Sequence, residues 1–158
     1  MVTLTLATLE NQLPLFIKSV IEENIPDPVA SRPSPNQWVY KDAPVKPANS
    51  YPYIIVELDN SKDDQLAYDG SLRVPRDMTV SIRIIAKGSG STTSRDTYAD
   101  TIKTLFFTPA SEDVTGTSMN DNLLELRSAV AAPTNYFSKE GDVIKMKEIT
   151  CVFRYRGA

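Results

Sequence analysis

Seven of the eleven prolines fall between residues 26 and 52: Pro26, Pro28, Pro33, Pro35, Pro44, Pro47 and Pro52. Proline fixes φ and donates no hydrogen bond, so this stretch can be neither a helix nor a central strand. It must run extended over a surface supplied by the rest of the chain. Trp38, Val39 and Tyr40 stand inside it as a short strand or an anchor. A disordered linker would have no such apolar triplet to bury, so the segment reads as ordered wrapping.

The flanks say what is wrapped. Leu6, Leu9, Leu13, Phe16, Ile17, Val20 and Ile21 recur at helical spacing and predict one amphipathic helix, closed by Asn24 and Pro26. Thr5 or Thr8 is the expected cap. Pro14 requires either a start near Asn11, with the proline in the first turn, or a kink. After the prolines, Tyr53 to Leu58 (YIIVEL) is rich in β-branched residues and predicts a strand. In Met78 to Ile85, Met78, Val80, Ile82 and Ile84 alternate with Thr79, Ser81 and Arg83, the pattern of a half-solvated strand in an antiparallel sheet. Between the two, a polar excursion with Leu72 and Val74 extends the pair as a projecting hairpin.

Further on, Tyr98, Ile102, Leu105 and Phe106 mark a second helix stopped by Pro109. Leu123 to Val130 reads as a strand, with a helix as the alternative for so short a run. Asn135 to Phe137 and Val143 to Met146 suggest a hairpin turning at Gly141. Ile149, Cys151, Phe153 and Tyr155 then alternate with Thr150, Arg154 and Arg156. The apolar parity switches between Met146 and Ile149, which predicts a bulge near Lys147. The sum is one domain over residues 1–158, of α+β class. It has an antiparallel or mixed sheet of four or more strands, two helices packed on one face, and long loops.

Composition narrows the chemistry. The chain has no histidine, which removes the commonest general base, the Ser-His and Cys-His pairs and the usual zinc ligands. Cys151 is the sole cysteine and stands in a strand pattern as a small buried hydrophobe, so no intrachain disulfide is possible. The net charge is −3, with seven Lys/Arg against eleven Asp/Glu in residues 1–79 and ten against nine in residues 80–158. No basic stripe marks a nucleic-acid partner. No stretch looks like a signal peptide or a membrane span, which points to the cytoplasm of the producing cell.

Two loops invite a chemical reading. AKGSGSTTS (residues 86–94) lies between strand and helix, where phosphate-cradling loops occur. Lys87 precedes the glycines instead of following them, and Thr93 replaces the third glycine of the dinucleotide fingerprint. The loop therefore reads as a connector: Gly88 and Gly90 take positive φ, Thr93 or Ser94 caps the helix, and Asp96 sits in its first turn. Asp59, Asp63, Asp64 and Asp69 cluster as hard-cation ligands do. They do not follow the calcium-loop spacing, and a solvated acidic loop is the plainer reading, so no metal or cofactor is assigned. Glu22-Glu23 and Glu112-Asp113 read as loop or helix-end charges, and no serine has a partner to activate it.

The order of elements is itself informative. An opening helix and the Pro-rich segment with Trp-Val-Tyr precede PYIIVEL, MTVSIRIIAKG, the helix RDTYADTIKTLFF, and a hairpin into EITCVFRYR. This order resembles the tail-terminator (tail completion) proteins of long-tailed bacteriophages. The resemblance spans most of the chain and carries no diagnostic short motif. It implies a non-enzymatic virion protein, a homo-hexameric ring on the finished tail tube. Such a ring ends polymerisation and meets the head-closure (neck) proteins while DNA passes through its channel without specific binding. For subunit contacts the excursion Asp59 to Arg76 is the candidate, with Asp63, Asp64, Arg73 and Arg76 as interface residues. The long wrapping segment and the polar insertion Ala110 to Asn122 exceed a minimal version of the fold and leave another neck component as an alternative. A cellular small-molecule or metal-binding domain is the reading outside that biology.

Overall fold

A computed structural model describes residues 4–5, 8–44, 50–63, 76–88, 90–107, 124–137 and 143–155. Two helices and five strands follow in the order α1 (Leu9–Asn24), β1 (Val39–Lys41), β2 (Tyr53–Asp63), β3 (Arg76–Lys87), α2 (Ser91–Phe107), β4 (Leu124–Phe137) and β5 (Val143–Tyr155). The strands form one mixed sheet in the order β1-β2-β3-β5-β4. β1 pairs parallel with β2, and every other pair is antiparallel. The fold is α+β as expected, with both helices on one face.

Period-two patterning explains the main core. Ile54 and Val56 of β2, Met78, Val80, Ile82 and Ile84 of β3, and Ile149, Cys151 and Phe153 of β5 point to the same side. There Leu13, Phe16, Ile17, Val20 and Ile21 of α1 and Ala99, Ile102 and Phe106 of α2 close over them. Phe106 meets Phe153 edge-on at 5.6 Å.

α1 begins at Leu9, ahead of Asn11, so Pro14 stands inside the helix and not in its first turn. Thr8 occupies the cap position, but its hydroxyl pairs with Thr5 Oγ1 at 2.7 Å and makes no cap bond to the helix. α2 begins at Ser91, earlier than Thr93 or Ser94, so neither of those residues is its cap. Gly88 and Gly90 do take positive φ, +92° and +72°, and turn the chain from β3 into the helix. Leu124 to Phe137 is one continuous strand through Pro133, which removes the helix alternative and merges two expected strands.

No bulge lies near Lys147. β5 pairs without a shift from Met146 to Ile149 on both sides. The apolar parity changes because each face has its own apolar cluster. Ile144 and Met146 join Tyr53, Ile55 and Ile85, with Tyr40 and Tyr51, on the face away from the helices. The bulges fall elsewhere, where Asp59 is the extra residue in β2 and Arg127 the extra residue in β4.

The wrapping segment is ordered around one side chain. Arg32 is 5% exposed and donates from Nε and Nη2 to Asp27 at 2.9 and 2.7 Å. It also donates to Ser50 O and Pro52 O, each at 2.9 Å, while its guanidinium lies 5.6 Å from the Trp38 ring. Trp38 is buried; its Nε1–H donates to Ile25 O at 3.1 Å and its ring meets Tyr98 edge-on at 5.3 Å. Trp38 is thus an anchor, and β1 is the strand that follows it.

Candidate functional site

The end of the sheet remote from the glycine loop gathers charge. β2 and β3 remain paired down to Asp63 opposite Arg76, so two of the four expected interface residues face one another in register. Asp64 and Arg73 lie outside the described residues, as do Asp69, Leu72, Val74, Gly141 and the insertion 110–122. Arg76 is half-buried and lies opposite Tyr155 on its other side. At this level the hairpin is therefore still part of the sheet and has not yet left it.

One rung further in, Asp77 of β3 faces Arg154 of β5. Arg154 Nε and Nη2 donate to the two carboxylate oxygens of Asp77 at 2.7 and 2.9 Å, a bidentate pair. Beside it on β4, Arg127 Nη1 donates to Glu125 Oε1 at 3.1 Å. Both bulges sit just inside these rungs, one on each side of the β3–β5 pair. Bulges sharpen local twist and re-aim side chains, so this end is set at an angle to the rest of the sheet. Farther along the helix-free face, Arg83 of β3 is ion-paired with Glu57 of β2, whose other oxygen accepts from Ala43 N–H at 2.8 Å. Val130 of β4 stands on the same face, 66% exposed.

Cross-strand pairing of Asp77 with Arg154 was missed in the sequence. The odd-numbered polar positions of β3 and the arginines of β5 were visible, but their register was not.

The acidic loop is only partly described. Asp59 is the exposed bulge residue, and the side chain of Asp63 is outside the description. Among the described residues no group of three or more His, Cys, Asp or Glu could hold a metal ion. An open cleft of about 550 Å³ lies between α1 and the wrapping segment, lined by Lys18, Glu22, Asp27, Gln37, Trp38 and Val39. Its charged walls are already paired, Lys18 with Glu22 and Asp27 with Arg32. No described helix is long and apolar enough to cross a membrane.

Two carboxyls and the thiol have displaced titration. The hydrogen bond from Arg32 holds Asp27 below the usual carboxylate range. Lys147, and then Arg95, do the same for Asp96. Burial pushes the Cys151 thiol up to about 12, so it stays protonated and unreactive at neutral pH.

Compared with known proteins, the chain matches no family model and no curated sequence.

Proposed function

We propose that the chain is a ring-forming structural protein of a long-tailed bacteriophage, a tail terminator that caps the tail tube and receives the neck proteins. The observation that carries this reading is the charged end of the sheet. There Asp63 and Arg76, Asp77 and Arg154, and Glu125 and Arg127 gather beyond two bulges. Closed rings join two different patches of identical subunits, and a surface carrying both signs can pair with a neighbour's complementary surface. The order of helices and strands, and a helix layer on one face only, support the same reading.

The test is molar mass by light scattering over a wide concentration range, for the natural chain and for Arg76→Glu. The expected result is a species of about six subunits, reduced to smaller species by the charge reversal with the melting temperature unchanged. Purified tail tubes added to the protein distinguish a terminator, which binds them, from a head-closure protein, which does not. A chain that stays monomeric both alone and with tubes refutes the ring.

A further inference from the structure

α2 begins with the positive end of its dipole surrounded by cations. Its first turn carries no acidic residue. Ser94 N–H is the first to find an acceptor four residues back, Gly90 O at 3.1 Å. The N–H groups of Thr92 and Thr93 precede it and have no intrahelical acceptor. β5 runs beside this turn. Lys145 Nζ donates to Thr92 Oγ1 at 2.7 Å, Lys147 Nζ to Asp96 Oδ1 at 3.2 Å, and Arg95 Nη1 to Met146 O at 3.4 Å. A cation at a helix N-terminus opposes the macrodipole. Asp96 is shared by Lys147 and Arg95, whereas Lys145 rests on a neutral hydroxyl.

Ser91 is the independent observation. It is 3% exposed, and its Oγ has no hydrogen-bond partner. Buried hydroxyls are ordinarily satisfied, so an orphan calls for an explanation. Ser91, Arg95, Ala99 and Ile102 form the buried stripe of α2 that faces the sheet, which aims this hydroxyl at the part of β5 that carries Lys145. The approach on the loop side is open: a Cβ built on Gly88 or Gly90 would meet no atom within 4 Å.

We propose that this end of α2 binds a phosphate group. Thr92 and Thr93 N–H, Ser91 Oγ–H and the Lys145 ammonium donate to its oxygens. Lys145 turns from Thr92 Oγ1 to the phosphate, and Ser91 gains the acceptor it lacks. The site differs from a P-loop because its lysine comes from a neighbouring strand and not from the helix that follows the glycines. The phosphate belongs either to a free phosphomonoester or to a nucleic-acid backbone. The inference does not depend on the ring.

The test is an amide-resolved NMR titration of the full chain with inorganic phosphate, against sodium chloride at equal ionic strength. Saturable shifts centred on Thr92 and Thr93 are expected with phosphate and not with chloride. Lys145→Gln, which keeps a donor for Thr92 but removes the charge, is expected to weaken binding about tenfold, the effect of one charge-assisted hydrogen bond. Lys145→Arg is expected to retain it. A short DNA duplex that shifts the same amides and is displaced by phosphate assigns the group to nucleic acid; an inert duplex assigns it to a free phosphomonoester. Equal responses to phosphate and chloride overturn the site, and so does unchanged phosphate binding in a folded Lys145→Gln.

Discussion

Replacing Arg32 by alanine tests whether one side chain organises the wrapping segment. The guanidinium makes a two-bond ion pair with Asp27, hydrogen bonds to Ser50 O and Pro52 O, and a contact with the Trp38 ring. The two carbonyls belong to half-buried residues and lose charged donors, at about 1 kcal/mol each. The ion pair is about a third exposed on the Asp27 side and adds about 0.5 kcal/mol, and the cation–π contact adds a similar amount. The loss comes to about 3 kcal/mol, or roughly 10 °C in Tm for a domain of this size. Thermal denaturation followed by circular dichroism measures it. Limited proteolysis is expected to cut first between residues 26 and 52. Arg32→Lys recovers little, because a single ammonium cannot reach acceptors spread around a planar fork. A double-mutant cycle with Asp27→Ala isolates the ion pair and is expected to return under about 1 kcal/mol. If Arg32→Ala melts within about 2 °C of the natural chain, Arg32 does not organise the segment.

Other outcomes follow from single groups. Asp27 and Asp96 have lowered folded-state pKa values, so their contribution is complete above the unfolded value of 3.8 and disappears as pH falls below it. Asp27→Asn is therefore expected to be less stable at pH 7 and to lose less stability than the natural chain between neutral pH and about pH 3, measured by urea denaturation. Cys151 is expected not to react with a thiol reagent at pH 8 in the native state and to react fully in denaturant; fast native labelling would contradict its burial. Trp38→Phe keeps an aromatic ring but leaves Ile25 O without its donor, and is expected to cost about 1–2 kcal/mol in a chemical melt.

How much of this was legible in the sequence depends on the range of the interaction. The helix over Leu13 to Ile21 and the alternation of Met78, Val80, Ile82 and Ile84 were readable because period and face are local properties. The positive-φ glycines were readable for the same reason. The start of α2 was not: serines and threonines suit both a cap and a first turn, and the cap expected at Thr93 or Ser94 lies inside the helix. The parity switch in β5 was seen and misattributed. A single strand cannot reveal that Ile144 and Met146 meet Ile85 and Tyr53 on a second apolar face. At the charged end, Asp63 and Arg76 were named from an excursion between two strands, whereas Asp77 with Arg154 needs the β3–β5 register. Arg32 was passed over because two of its partners lie 18 and 20 residues away.

The edges of the sheet limit how copies of this chain can join. β1 offers only three residues at one edge, too few to template a neighbour's strand. β4 is fourteen residues long at the other edge and would be the natural place for strand addition. It is interrupted twice, by the Arg127 bulge and by Pro133. Pairing with β5 continues on both sides of Pro133, which fits a nitrogen turned to the open edge, where it gives a neighbour no donor. Between the interruptions lie Ser128 to Ala132, with exposed Val130. A proline and a bulged charge are the usual devices that keep an edge from pairing without control. Subunits that assemble must then do so through side chains, and the charged end of β2, β3, β5 and β4 supplies them in both signs. Pro133→Val separates the two modes of association. It restores an edge donor and is expected to produce concentration-dependent aggregation, read by light scattering, while leaving the Asp77–Arg154 end unaltered.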